Sequence, residues 1–234
     1  MKGHDRARFL KTAGAVAVGL GLGEIDLAEA APLSRPKTPK QALARLMAGN
    51  ARFVRGRLEA PHAIAERRAD VAGGQEPFAI LLTCADSRVP PEHIFDQSLG
   101  DIFVCRVAGN ILGSRLVGSM EYAVEHFHSP LLMVLGHQRC GAVKDTVKLV
   151  EKGAKAPGSI QKVVDAIAPI VRATKRGSLG DEAYLDRVIR ANANAVARAL
   201  PRRSRIVAHA VGAGKLRVLA AEYSLDTGKV RLLP

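Results

Sequence analysis

Cys84-Ala85-Asp86-Ser87-Arg88 follows a short apolar run, and further along the chain His137-Gln138-Arg139-Cys140 follows another. Two thiols and one imidazole can therefore meet at one point. Two soft thiolates with a neutral imidazole suit Zn²⁺, and a catalytic zinc keeps three protein ligands and leaves its fourth position for water or substrate. Both halves stand where a strand is predicted to end, and in open α/β sheets ligands gather outside the carboxyl ends of the strands. The competing reading makes these residues two small buried thiols and a core histidine. Cys105 completes the cysteine inventory, which is too small and too odd for a disulfide framework. It is read as a small residue within a strand.

The elements that must position these groups are legible in the apolar pattern. Phe78 to Thr83, Ile102 to Val107 and Leu131 to Leu135 are short, unbroken apolar runs, the mark of buried parallel strands, and Arg205 to Val211 is read as a fourth. Between the second and third, Ser114 to His128 carries Leu116, Val117, Met120, Ala123, Val124 and Phe127 on one face, which predicts a crossover helix. Helices open the domain from Pro39, with Leu43, Leu46, Met47, Phe53 and Val54 at helical spacing and Gly49-Asn50 as an interruption. Another helix, Gly141 to Val150, starts directly after Cys140, so the metal would sit near a helix N-terminus, where negative charge is favoured. Residues 159–175 and 181–200 give two more. Val218 to Tyr223 and Lys229 to Leu233 flank Asp226-Thr227-Gly228 and predict a hairpin. The expected fold is α/β, with a mostly parallel central sheet, helices on both faces, N-terminal helices and a C-terminal antiparallel hairpin.

A chain of 234 residues that is 47% hydrophobic and 24% charged has the size and composition of one soluble domain. The formal charge of +13 raises nucleic acid as a partner, but the basic residues are spread out. Their tightest group, Arg202, Arg203 and Arg205, has no interleaved aromatics of the kind a single-strand binder uses. A solvated basic surface is expected, with no nucleic-acid partner. At the N-terminus Lys2, Arg6, Arg8 and Lys11 precede an apolar stretch from Thr12 to Gly23, and Ala28-Glu29-Ala30 offers a small-x-small cleavage site. This pattern predicts an export signal over residues 1–30, a linker over 31–38 and the catalytic domain over 39–234. The apolar stretch falls short of the roughly 20 residues a membrane span requires, so no stable membrane insertion is expected. Arg6-Ala7-Arg8 is an imperfect twin-arginine motif, and a periplasmic location follows from the signal.

Taken together, Cys84, Asp86, Arg88, His137 and Cys140 resemble the Cys-x-Asp-x-Arg and His-x-x-Cys motifs of the β-class carbonic anhydrases. The likeness extends from about residue 38 to about residue 230, through Val89-Pro90, Gly109-Asn110, Glu121-Tyr122-Ala123-Val124 and Gly136. It implies one zinc ion per subunit on Cys84, His137 and Cys140, with Asp86 and Arg88 as the catalytic dyad. It further implies Gln75, Phe103 and Tyr122 as substrate-pocket residues, partly lent by a neighbouring subunit, and hence a homodimer or larger homo-oligomer. The implied reaction is reversible hydration of CO₂ to bicarbonate and a proton, by attack of a zinc-bound hydroxide oriented by Asp86 and Arg88. The chemistry of the side chains agrees. Asp86 can accept a hydrogen bond and aim a lone pair, provided that Arg88 pairs bidentately with it and keeps it off the metal. Gln75 can donate its amide N–H to a substrate oxygen, and Phe103 offers the dry wall an uncharged gas prefers.

Two departures stand out. Val107 occupies a place where family members commonly have Asn, and the chain has no Trp, a residue that one subgroup uses in an inhibitory bicarbonate pocket. Two other functions fit the same residues. Carbonyl sulfide or carbon disulfide would offer the same dyad an electrophilic carbon, and a closed zinc site with Asp86 as fourth ligand would be structural or redox-sensing. Arg88 argues against the closed site, because such a site needs no partner to withdraw the carboxylate. His62, His93, His126, His128 and His209 are candidates by chemistry for passing the proton to solvent.

Overall fold

The computed structural model describes residues 34–60 and 64–234. The segment read as an export signal, the first residues of the linker and His62 lie outside the described residues. Five strands form one sheet in the order β2-β1-β3-β4-β5: β1 Ala79–Thr83, β2 Ile102–Arg106, β3 Leu131–His137, β4 Arg217–Tyr223 and β5 Val230–Leu232. The first four are parallel, and β5 returns antiparallel to β4 through the Asp226-Thr227-Gly228 turn. Every residue of β1 and β3 is buried. Two-sided burial is what turns such strands into unbroken apolar runs.

Alternate residues of these strands feed opposite cores. On one face Ala79, Leu81, Leu131, Met133 and Leu135 pack with Ala42 and Leu46 of α1 (Pro39–Val54) and Ile94 of α3 (Pro91–Ile94). On the other, Ile80, Leu82, Leu132 and Val134 meet α4 (Ser114–Phe127), α7 (Asp181–Arg203) and α8 (Arg205–Gly212). The sheet thus has helices on both faces, and α4 carries the chain from β2 past β1 to β3. Beyond the carboxyl end of the sheet, α5 (Gly141–Lys152), α6 (Ile160–Ala173) and α7 enclose a third apolar cluster that includes Cys84 and Cys140. A short α2 (Ile64–Asp70) precedes β1.

Three expectations are corrected. Residues 205–211 are not the fourth parallel strand but the helix α8, and β4 takes that place. The reason is local: Ser204 is extended (φ −134°) and its side chain accepts the Val207 N–H at 3.0 Å, an N-cap, and Val207 alone of the helix is fully buried. Gly49-Asn50 does not interrupt α1, which runs unbroken to Val54. Asn50 is buried because its amide serves other elements, donating to Ile94 and Gly228 carbonyls (3.1 and 2.8 Å) and accepting the Val230 N–H at 2.9 Å. Finally, α7 does not stop before Pro201 but carries it inside its last turn, ending at Arg203.

Candidate metal centre

Parallel pairing of β1 with β3, Thr83 opposite Leu135, brings the two chain segments out of the sheet side by side. Neighbouring strands lie about 4.8 Å apart, so Cys84, just past the end of β1, and His137, the last residue of β3, are delivered within reach of each other. Arg139 then turns the chain with a left-handed φ of 52°, and Cys140 becomes the N-cap position of α5. The ligand atoms of Cys84, His137 and Cys140 all lie within 4.8 Å of one another, and all three residues are buried. The two sulfurs are 4.0 Å apart. A tetrahedral zinc with Zn–S bonds of about 2.3 Å would hold them about 3.8 Å apart. His137 Nδ1 lies 2.9 Å from the Gln138 carbonyl, which places the ring proton there and leaves the lone pair on Nε2. That Nε2 is buried with no hydrogen-bond partner among the described residues. Two sulfurs at a tetrahedral edge and an unpartnered imidazole nitrogen beside them fit a soft divalent cation.

The two buried sulfurs lie within hydrogen-bonding reach of each other, and either could donate. The Cys140 hydrogen bond pulls the Cys84 thiol well below its ordinary range; burial opposes this, and His137 and the Gly109 N–H, 3.3 Å from the sulfur, assist. Cys140 moves the other way, raised by the same hydrogen bond, by burial and by the Cys84 charge. A cation held between the sulfurs would favour the thiolate form of both.

Asp86 stands beside this triad, its Oδ2 3.9 Å from His137 Nε2. Arg88 occupies both of its oxygens: Nε and the backbone N–H donate to Oδ1 at 2.9 and 3.0 Å, and Nη2 donates to Oδ2 at 2.7 Å. That grip, above all the side-chain hydrogen bonds, holds the Asp86 carboxyl well below the usual carboxylate range although burial opposes it. The carboxylate is thus ionised and turned toward Arg88.

Gln75, Phe103 and Tyr122 are not brought to the triad within one chain. Gln75 is exposed ahead of β1, at the opposite end of the sheet. Phe103 pairs with Ile80, whereas Cys84 lies beyond the Thr83–Arg106 pair. Four strand steps, from Ile80 to Cys84, separate the two levels, about 13 Å. Tyr122 is 52% exposed on α4, its ring centroid 5.6 Å from that of Phe127, which in turn lies 6.0 Å from Phe103. His93, His126, His128 and His209 are all exposed.

Three supporting residues escaped the sequence reading. Arg106, at the carboxyl end of β2, donates from Nε to the Cys84 carbonyl at 3.1 Å and from Nη2 to the Asp86 carbonyl at 2.6 Å. An arginine closing an otherwise apolar strand level with Thr83 was the available signal. The other two are Asp226, which pairs bidentately with Arg139 at 2.9 and 2.7 Å, and Ser224, which donates to Gln138 at 2.9 Å. These tie the ligand loop to the β4–β5 turn, and no local pattern announces them.

Comparison with known proteins points one way. A family model described as carbonic anhydrase matches residues 79–230. A Mycobacterium tuberculosis protein named carbonic anhydrase 2 is 38% identical over 194 residues, covering 83% of this chain and 92% of the relative. The solved Coccomyxa β-carbonic anhydrase, in complex with acetazolamide, superposes with a TM-score of 0.64 at 26% identity, over 82% of this chain and 86% of its own. A Sordaria macrospora structure, described as a tetrameric β-carbonic anhydrase, shares the fold with a TM-score of 0.66 at 20% identity, over 74% and 89%.

Proposed function

The chain belongs to the β-carbonic anhydrase family, and from that premise we propose how its site works: the ion held by Cys84, His137 and Cys140 is zinc, one per subunit, and Asp86 and Arg88 organise the reaction beside it. The enzyme is a carbonic anhydrase, hydrating CO₂ reversibly to bicarbonate and a proton. The observation that carries the mechanistic reading is the buried, unpartnered His137 Nε2 set beside two thiols 4.0 Å apart and a carboxylate already claimed by an arginine.

Zinc in this position supplies a Lewis acid that makes water acidic enough to yield a nucleophile near neutral pH. The rest falls to the chain. Asp86, ionised and 3.9 Å from Nε2, accepts a hydrogen bond from the reacting water and orients its lone pair toward the carbon. Arg88 holds that carboxylate by two parallel N–H bonds, so that it orients the water rather than binding the metal. Arg106 fixes the carbonyls on either side of Ala85, which keeps the Cys84 sulfur and the Asp86 carboxylate in register.

Gln75, Phe103 and Tyr122 complete the substrate pocket of an adjacent copy, in a homodimer or larger assembly. Their distance from the triad of their own chain supports this, as does the solvent-facing aromatic group that Tyr122 forms with Phe103 and Phe127. Gln75 donates to a substrate oxygen there, and the rings shut out bulk water. Export to the periplasm, by way of the signal over residues 1–30, belongs to the same proposal. The decisive experiment is stopped-flow CO₂ hydration on full-length protein of measured zinc content. We expect one zinc per chain and turnover that tracks zinc. Protein with full zinc and no hydration above buffer would overturn the mechanism.

A further inference from the structure

We propose that Asn192, on a helix that contributes no ligand, is a positioning residue for the Cys84 sulfur and acts through Gly109. The inference rests on the metal reading above and extends it to a residue outside the motifs. Asn192 is 1% exposed, and its Nδ2 donates to the Gly109 carbonyl at 2.9 Å across 83 residues of sequence. The N–H of the same Gly109 donates to Cys84 Sγ at 3.3 Å.

Gly109 is held between these two bonds in a conformation only glycine adopts freely, with φ 72° and ψ 15°. The surroundings leave no room for a side chain: a Cβ at this position would come 2.7 Å from Ile167 Cδ1 of α6 and 3.3 Å from Ala142 Cβ of α5. The Val107–Asn110 turn is closed by one bond of its own, Asn110 N–H to Val107 carbonyl at 3.0 Å. A turn of four residues with a glycine inside it can swing its peptides, and the N–H aimed at sulfur would swing with them. Asn192 stops that motion from the far side. It can reach because α7 crosses β3 closely at Gly136, where a Cβ would lie 3.4 Å from Ala193 and 3.5 Å from Ile189.

An N–H donated to a thiolate draws charge from sulfur and fixes its direction, so losing the brace should loosen the ligand and raise the energy of its electrons. Groups bonded directly to a metal ligand, as the Gly109 N–H would be, change affinity by about 10- to 100-fold, and Asn192, acting through Gly109, should fall at the low end of that range.

The test uses full-length protein with Asn192→Asp, which keeps the shape but loses the donor, and Asn192→Leu, which removes polarity. Both should release zinc to EDTA about 10-fold faster than the parent protein. In the cobalt(II)-substituted forms the thiolate-to-metal charge-transfer band should move to lower energy. Ser129→Ala, which removes another buried side chain bonded to backbone, here the Pro77 carbonyl at the amino ends of β1 and β3, calibrates general loosening and should leave the band in place. Unchanged release and an unchanged band in the Asn192 variants overturn the proposal, as does an equal band shift in Ser129→Ala. Should neither Asn192 variant fold, the unsubstituted protein loaded with an NMR-active cadmium isotope still decides. A scalar coupling between cadmium and the Gly109 amide proton supports the proposal, and its absence overturns it. An unsubstituted chain that binds no zinc would instead sink the metal reading.

Discussion

At the scale of single residues, the proposed site divides labour between atoms that would hold a metal and atoms that would aim a reaction. Replacing a holder should release the ion: Cys140→Ser and His137→Ala are expected to lose most of their zinc, and full metal content in both would remove the ligand assignment. Replacing an aimer should spare it. Asp86→Asn keeps the size of the side chain but weakens its acceptor and breaks the ion pair with Arg88, so hydration should fall about a hundredfold or more with zinc retained. Arg88→Ala frees the carboxylate to move toward the metal and should lose activity comparably, measured as kcat at fixed zinc content. Charge at the metal sets the pH dependence. Two thiolates cancel the charge of a dication, whereas three neutral imidazoles leave it whole, so water is acidified less here than the value of about 7 reached with three histidines. Hydration should therefore climb through mildly alkaline pH. Asp86 adds no step to that profile, because Arg88 keeps it ionised far below the working range. A rate already level by pH 6 would contradict this argument.

At the scale of elements, buried polar groups do the joining. Asp96, at the end of α3 with a left-handed φ of 47°, is 3% exposed and accepts the Glu59 and Ala60 N–H groups at 3.1 and 2.9 Å as well as the Arg52 guanidinium. Burial pushes its carboxyl up, but Arg52 and the two N–H groups outweigh burial and leave it below its ordinary value. A carboxyl depressed in the folded state contributes stability above its unfolded pKa, near 3.9, and that contribution is lost as pH falls through the folded value. Asp96→Asn, which tolerates the same φ, should cost about 1–3 kcal/mol at neutral pH and flatten the acid limb of a urea-unfolding series. An unaltered acid limb would show that Asp96 contributes nothing there. This scale is also where the sequence was least legible. Cys84, His137 and Cys140, which the fold brings together, and the paired Asp86 and Arg88 were legible because their chemistry is written in short spacings next to apolar runs. Arg106 and Asp226 act across tertiary contacts, which no window of sequence contains. Arg205 to Val211 looked like a strand because Ile206, Val207 and Val211 are β-branched, yet the Ser204 cap was there to be weighed against them. Asn50 looked like a breaker because polar residues inside a helix usually face water, whereas here its partners lie on three other segments.

At the scale of the whole molecule, one chain brings together the proposed ligands and the Asp86–Arg88 pair but leaves Gln75, Phe103 and Tyr122 elsewhere, so activity should depend on assembly. Sedimentation or light scattering is expected to find at least a dimer. Gln75→Ala should lower CO₂ hydration without loss of zinc, and a fully active monomer would refute the shared pocket. Cell fractionation with N-terminal sequencing should find a processed chain beginning near Ala31, and an intact Met1 on cytoplasmic enzyme would refute export. Among the described residues no helix is long and apolar enough to cross a membrane. The asparagine of the first helix has one more consequence, in time rather than space. Its bonds to Gly228 and Val230 span 178 and 180 residues. A polypeptide leaves the ribosome amino end first, so α1 must wait through the synthesis of nearly the whole domain before its partners exist. The His137–Cys140 loop waits as well, since Asp226 and Ser224 arrive with the same turn. The nascent chain therefore carries Cys84, His137 and Cys140 while the fold around them is still open, and the β4–β5 turn is the latch that shuts it.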